Sequence, residues 1–161
     1  MPLSTPSAVV VGLGVTGSLT ASRLIDTLIA GMLDLAMAEV DVAVGELARR
    51  PIRADKVVDP RPISVASVLI GSSTAAGLTV ESCVRAMVAA VLAAEARLAE
   101  TPVVLADGSQ RRASNIVRFH HLRIIERYAD RVDIIAGVLA RLRVEHSQPS
   151  ANVFKLYTCK I

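Results

Sequence analysis

The sequence predicts an α/β domain of three layers, a mostly parallel sheet covered by long helices, and three observations predict it. The first is a repeat. Val9-Val10-Val11 runs into Gly12-Leu13-Gly14-Val15-Thr16-Gly17 and then Leu19-Thr20. Fifty-nine positions later Val68-Leu69-Ile70 runs into Gly71-Ser72-Ser73-Thr74-Ala75-Ala76-Gly77 and then Leu78-Thr79. The second is helical periodicity after each loop, in register at the same offset. Leu24 falls on Cys83, Ile25 on Val84, Leu28 on Met87, Ile29 on Val88 and Leu33 on Leu92. The third is a near absence of aromatics: Phe119, Phe154, Tyr128 and Tyr157 are all there are. The core must then be aliphatic, which suits a parallel sheet whose strands read as branched runs.

Taken in order, residues 1–7 carry Pro2 and Pro6 and are expected to be loosely held. Residues 8–143 form the domain. Its first strand is 8–11, and Thr20 is placed to cap a helix over 21–49, because its hydroxyl can accept from an orphan amide of the first turn. Leu24, Leu28, Met32, Leu35, Ala36, Val40, Ala43 and Leu47 keep the helical spacing, with a possible break at Gly31. Pro51, Pro60 and Pro62 mark a charged loop, since pre-proline residues are biased away from helix. A second strand follows over 63–70. Thr79 caps a second long helix with Val80, Cys83, Val84, Met87, Val88, Val91, Leu92 and Leu98 along one stripe. A short strand over 102–105 turns at Asp107-Gly108-Ser109-Gln110, and a longer strand spans 115–126. A shorter helix begins at Asp130, with Val132, Ile135, Leu139 and Leu142 on one face. Residues 144–161 read as a linker and a further strand, ending in mid-strand as an excised piece of a longer protein would.

At 161 residues the chain suits one domain. The net charge of +3 is mild. Arginines gather from Arg49 to Arg61 and at Arg111-Arg112, but base-stacking aromatics are nearly missing, which argues for a solvated basic loop and against a nucleic-acid partner. The uncharged stretches carry loop glycines and no basic leader, so neither a membrane span nor a signal peptide is expected. Two cysteines make no disulfide framework, and the reducing cytoplasm is the expected compartment.

Gly12, Gly14, Thr16 and Gly17 lie in a G-x-G-x-x-G pattern after a strand, the arrangement that lets a backbone approach a pyrophosphate. Two features count against a dinucleotide fold. The helix starts after the loop instead of inside it, and Met32-Leu33-Asp34-Leu35-Ala36-Met37 is helix-forming where a second strand ending in an acid belongs. Gly71, Ser72, Ser73, Thr74 and Gly77 give the second loop small side chains and hydroxyls. Together the two loops offer an anion site of backbone amides; the bland alternative is a pair of tight strand-to-helix turns. His120 and His121 are neighbours on a strand, so their side chains are expected on opposite faces and not on one metal. His146 reads as a loop residue, Cys83 as a core residue, and Cys159 has no evident partner. No Ser-His-Asp, Cys-His or paired-carboxylate constellation can be assembled, so no catalytic residue, metal or cofactor is assigned.

Three blocks resemble the α/β region beside the peptidase in bacterial CHAT proteins, the caspase-like family associated with HetF and tetratricopeptide repeats. They are Val9 to Gly14 with Leu19-Thr20, then Leu69-Ile70-Gly71 through Gly77-Leu78-Thr79-Val80-Glu81-Ser82, and Ile124-Ile125-Glu126-Arg127-Tyr128-Ala129-Asp130-Arg131. The first block is also similar to the macro-like, non-catalytic N-terminal domain of leucyl aminopeptidases. The resemblance covers about residues 8–143 and implies a macro-like accessory or regulatory domain, acting by docking to a caspase-like peptidase domain or by sensing a small ligand. It implies no catalytic residue here, because the His/Cys dyad of that family belongs to the peptidase domain. The alternative is a phosphate- or nucleotide-binding module using the two glycine loops.

Overall fold

Two threonines start the two long helices in the same way. The hydroxyl of Thr20 accepts from the Arg23 amide at 3.2 Å, and that of Thr79 accepts from the Ser82 amide at 3.1 Å. Each threonine carbonyl then takes the first helical bond, from Leu24 at 2.9 Å and from Cys83 at 3.0 Å. The caps thus fall at the 59-residue offset of the repeat. They open α1 (Ala21–Arg49), which passes Gly31 without a break, and α2 (Val80–Glu100). This is a computed structural model, and it describes residues 10, 18–49, 59–70, 77–145 and 155–160.

The repeat also governs packing. Leu24 and Cys83, Leu28 and Met87, Ile29 and Val88, and Met32 and Val91 are equivalent pairs, and all eight side chains are buried. α1 lies on α2, and seven of the eight, all but Cys83, belong to one hydrophobic cluster. Two other pairs differ: Ile25 is half-buried and Val84 buried, Leu33 half-buried and Leu92 exposed; at the next step Ala36 is buried in α1, whereas its counterpart on α2 is the carboxylate Glu95.

Between the helices runs β1 (Arg61–Val68), two residues earlier than the spacing predicts. After α2 come a two-stranded antiparallel hairpin, β2 (Pro102–Val104) with β3 (Gln110–Arg112), and a 3-10 turn over Ala113–Asn115. The hairpin turn has Gly108 at φ 79°, and Asp107 folds back to accept from the amide and the hydroxyl of Ser109. Then follow β4 (Val117–Glu126), α3 (Ala129–Glu145) and β5 (Lys155–Lys160). β1, β4 and β5 form a parallel sheet in the order β1-β4-β5. Parallel neighbours need a crossover; α2 with the hairpin supplies the first, and α3 the second. Arg61 donates its amide to the Ile116 carbonyl at 2.8 Å. The nitrogen of Pro62 therefore points away from β4, where no donor is needed.

Burial alternates along the strands, and it does so on one side. Ile63 of β1 and Val117, Phe119, Leu122 and Ile124 of β4 are buried in the aliphatic core. Pro62, Ser64, Ala66 and Val68 of β1 and His120 and Arg123 of β4 are exposed. Among the described residues, then, the helices line one face of the sheet and the other is open. α3 joins the helical layer through Ile135, Val138, Leu139 and Leu142, and through the ion pair of Arg141 with Glu81 of α2 at 3.4 Å. Arg61 anchors the start of β1 to α1 by pairing with Glu39 at 3.2 Å and Glu46 at 3.5 Å, so this arginine belongs to the fold and not to a solvated loop.

Of the first expected strand, 8–11, only Val10 is among the described residues, where it is exposed and outside any strand. Its pairing with β1 lies outside what is described. No helix of the described residues is long and apolar enough to cross a membrane.

The stripe predicts a contrast within one helical turn. Leu28→Ala removes a buried side chain at the α1–α2 contact and should cost about 2–4 kcal/mol, while exposed Asp26→Ala should cost less than about 0.5. Urea melts of the two variants check this; equal, small effects would mean that α1 presents a different face.

Candidate functional site

Gly12, Gly14, Thr16, Gly17, Gly71, Ser72, Ser73 and Thr74 lie outside the described residues. Gly77 is described, at φ 68°. Added side-chain atoms would meet nothing there, so the need for glycine is conformational: the left-handed region disfavours any residue with a β-carbon. Gly77 leads through Leu78 into the Thr79 cap of α2.

The carboxyl end of neighbouring β4 carries a group that sequence reasoning missed. Glu126 is the one polar residue in the core among the described residues, only 7% exposed. Its carboxylate accepts from the amides of Arg127 at 2.7 Å and Tyr128 at 3.1 Å, immediately before α3, and lies 3.8 Å from the Arg131 guanidinium. Amides ahead of a helix and the positive end of its dipole attract anions. Here the chain supplies its own anion. Beside it, the half-exposed ring of Tyr128 meets two cations, with Arg127 and Arg131 each 5.0 Å from its centroid. The signal in the sequence was an acid ending an apolar strand two residues short of a helix.

At the middle of β4 the open face holds a second cluster. The Arg61 amide bonds the Ile116 carbonyl, and the Leu69 amide bonds the Ile125 carbonyl at 3.1 Å. Eight residues of β1 are thereby matched to nine of β4. The extra residue is His120, because Ile63 pairs with Phe119 and Ser64 with His121. This is a β-bulge, and it overturns the expectation that the two histidines face opposite ways. Their rings lie edge to face with centroids 4.2 Å apart and planes at 79°. Ser64, across on β1, has its hydroxyl oxygen 3.2 Å from His121 Nδ1. The sequence does carry this signal: Val117 and Phe119 are out of phase with Leu122 and Ile124, and the phase changes across the doubled histidine.

The bulge has a support on the helical side. Before it, even-numbered residues of β4 turn their backbone groups toward β1, and the Phe119 amide points the other way. Among the described residues, β5 pairs with β4 from His121 onward, beyond that amide. Glu95 of α2 accepts it instead, in a short hydrogen bond. Burial pushes the Glu95 carboxyl above its ordinary range, against the opposing pull of the Phe119 amide and the Arg118 charge. No buried side-chain polar atom among the described residues lacks a partner.

Chemically, the described residues offer a Ser–His contact on an open face, and no group of three metal-ligating side chains. Cys83 is buried on α2, and burial pushes its thiol up, away from the reactive thiolate. Comparison of the chain with protein-family models, curated proteins and solved structures finds no match.

Glu95 makes a prediction that separates charge from hydrogen bonding. Glu95→Ala leaves the Phe119 amide without its acceptor and should destabilise by about 1–3 kcal/mol. Glu95→Gln keeps a carbonyl acceptor and should be near neutral at pH 7. A carboxyl whose folded pKa lies above its unfolded one costs stability as pH rises from the unfolded value through the folded one. The wild type should therefore lose stability upward from about pH 4.5 relative to Glu95→Gln, and denaturant melts across that range check the sign.

Proposed function

We propose that the chain is a non-catalytic accessory domain that docks a caspase-like peptidase domain through the open face of its sheet. The observation that carries this reading is the one-sided burial of β1 and β4. Parallel sheets are ordinarily covered on both faces, and here Pro62, Ser64, Ala66, Val68 and Arg123 are exposed. The reading takes the fold as macro-like and three-layered, the third layer lying over this face. The partner's class comes from the resemblance of the glycine-loop blocks and of Ile124 to Arg131 to the region beside the peptidase in CHAT proteins. A bacterial cytoplasm is the setting which that resemblance and the two cysteines imply.

A second reading, binding of a small phosphorylated ligand by Gly12, Gly14, Thr16, Gly17, Gly71, Ser72, Ser73, Thr74 and Gly77, draws support from the left-handed Gly77 beside the start of α2. Against it, internal groups already serve the helix starts: Thr20 and Thr79 cap α1 and α2, and Glu126 takes the amides ahead of α3. Docking is therefore favoured.

The test is titration calorimetry of the full chain against a purified CHAT peptidase domain from the same source. Ala66→Arg places an unmatched charge on the open face without touching the core, and should weaken binding at least about tenfold. Adenine nucleotides and ADP-ribose at millimolar concentration should leave the melting temperature unchanged. A rise of several degrees, which ligand at about a hundred times its dissociation constant would give, would overturn docking in favour of the second reading if Gly14→Val or Gly77→Val abolished it.

A further inference from the structure

We propose that the open face of the sheet is covered by the exposed stripe of α1 from a second copy of this chain, so that copies stack head to tail. The inference rests on the docking reading for its surface, and it makes a second copy and the peptidase domain competitors for that surface. It starts from charge. Among the described residues of the three strands the one acid is Glu126, and it is buried. The bases take outward positions. Arg123 is exposed on β4, Arg118 is half-buried and level with exposed Pro62, and Lys155 occupies the β5 position level with His121. Alongside them β1 exposes Ala66 and Val68, the latter to 61%.

α1 has the opposite character. From Leu24 to Ala48 it carries five acids and no base. Asp26, Asp34 and Asp41 are exposed and recur about every two turns, away from the buried stripe, with the small exposed side chains of Ala30 and Ala38 among them. The other helices do not match the sheet in this way: α3 balances three acids with three arginines, and α2 is flanked by α1 and α3. Size agrees as well, since three strands about 4.8 Å apart span about 10 Å, the width of one helix. Exposed ion pairs are individually weak, so charge selects the helix and its orientation, while burial of Val42 and Val68 adds affinity. α1 belongs to the helical layer, across the sheet from the open face, so the contact joins unlike surfaces and runs head to tail. Each sheet then gains the second cover that parallel sheets ordinarily have.

Sedimentation velocity of the full chain reads the association directly, without any peptidase domain, so its failure leaves the calorimetric test of that partner standing. At about 50 mM salt the weight-average sedimentation coefficient should rise with concentration, and about 500 mM salt should weaken the association at least about tenfold. Arg123→Glu on the sheet and the double substitution Asp34→Asn/Asp41→Asn on α1 change exposed side chains, so melting temperatures should stay within about a degree of wild type. Each variant alone should self-associate at least about tenfold more weakly. Mixing them is the sharpest arm. The first keeps an intact α1 and the second an intact sheet face, so an equimolar mixture should form a two-chain complex and nothing longer. That recovery also shows that both variants are folded. A wild type that stays monomeric at every concentration in the lower salt would overturn the proposal. So would association that both variants retain, or a mixture that forms no complex beyond those of the separate variants.

Discussion

One extra residue in β4 sets the character of this domain. Between two cross-strand hydrogen bonds, β1 advances eight residues and β4 nine. A one-residue slip in an ordinary strand would reverse every side chain beyond it. The bulge at His120 absorbs that slip locally, so that Val117 and Phe119 before it and Leu122 and Ile124 after it all reach the helical layer. The cost is an interrupted ladder and two successive polar residues on the outer face. The core stays continuous, and the open face gains a pair of imidazoles within reach of Ser64.

The helical layer accommodates the same irregularity. α1 and α2 begin as copies of one another, with threonine caps and four equivalent buried pairs. The copy is abandoned at Glu95, where α1 has Ala36, and that position accepts the Phe119 amide. A half-buried carboxylate is an expensive acceptor, as its raised pKa records. An unpaired amide beside the bulge would be costly as well. The internal repeat thus explains how the layer packs, and its breakdown explains how the sheet is held.

Much of the fold was legible because strong local signals agreed. The 29 residues of α1 combine a threonine cap with sustained helical spacing, and both ends are found where that pattern puts them. The hairpin turn declared itself through Asp107-Gly108-Ser109, whose glycine supplies a positive φ. Other features were hidden for identifiable reasons. Taking alternation as unbroken through His120-His121 separated two residues that the bulge unites. Arg61 looked like part of a basic loop, because nothing local reveals that Glu39 and Glu46 come to meet it. Glu126 was read only as part of a similar block, since its role as an internal anion depends on the turn into α3. Of the glycine loops, Gly77 is seen at the positive φ that only glycine adopts freely; the remaining loop residues lie outside the described part.

The most direct test of this account is the pairing around the bulge itself. Nuclear Overhauser spectra of the chain, with histidine and serine selectively labelled, read that pairing without any ligand or partner. The account predicts cross-peaks between the ring protons of His120 and His121, and between Ser64 and the backbone of His121. Cross-peaks joining Ser64 to the backbone of His120, with no contact between the two rings, would mean a regular ladder with the histidines on opposite faces, and would contradict it.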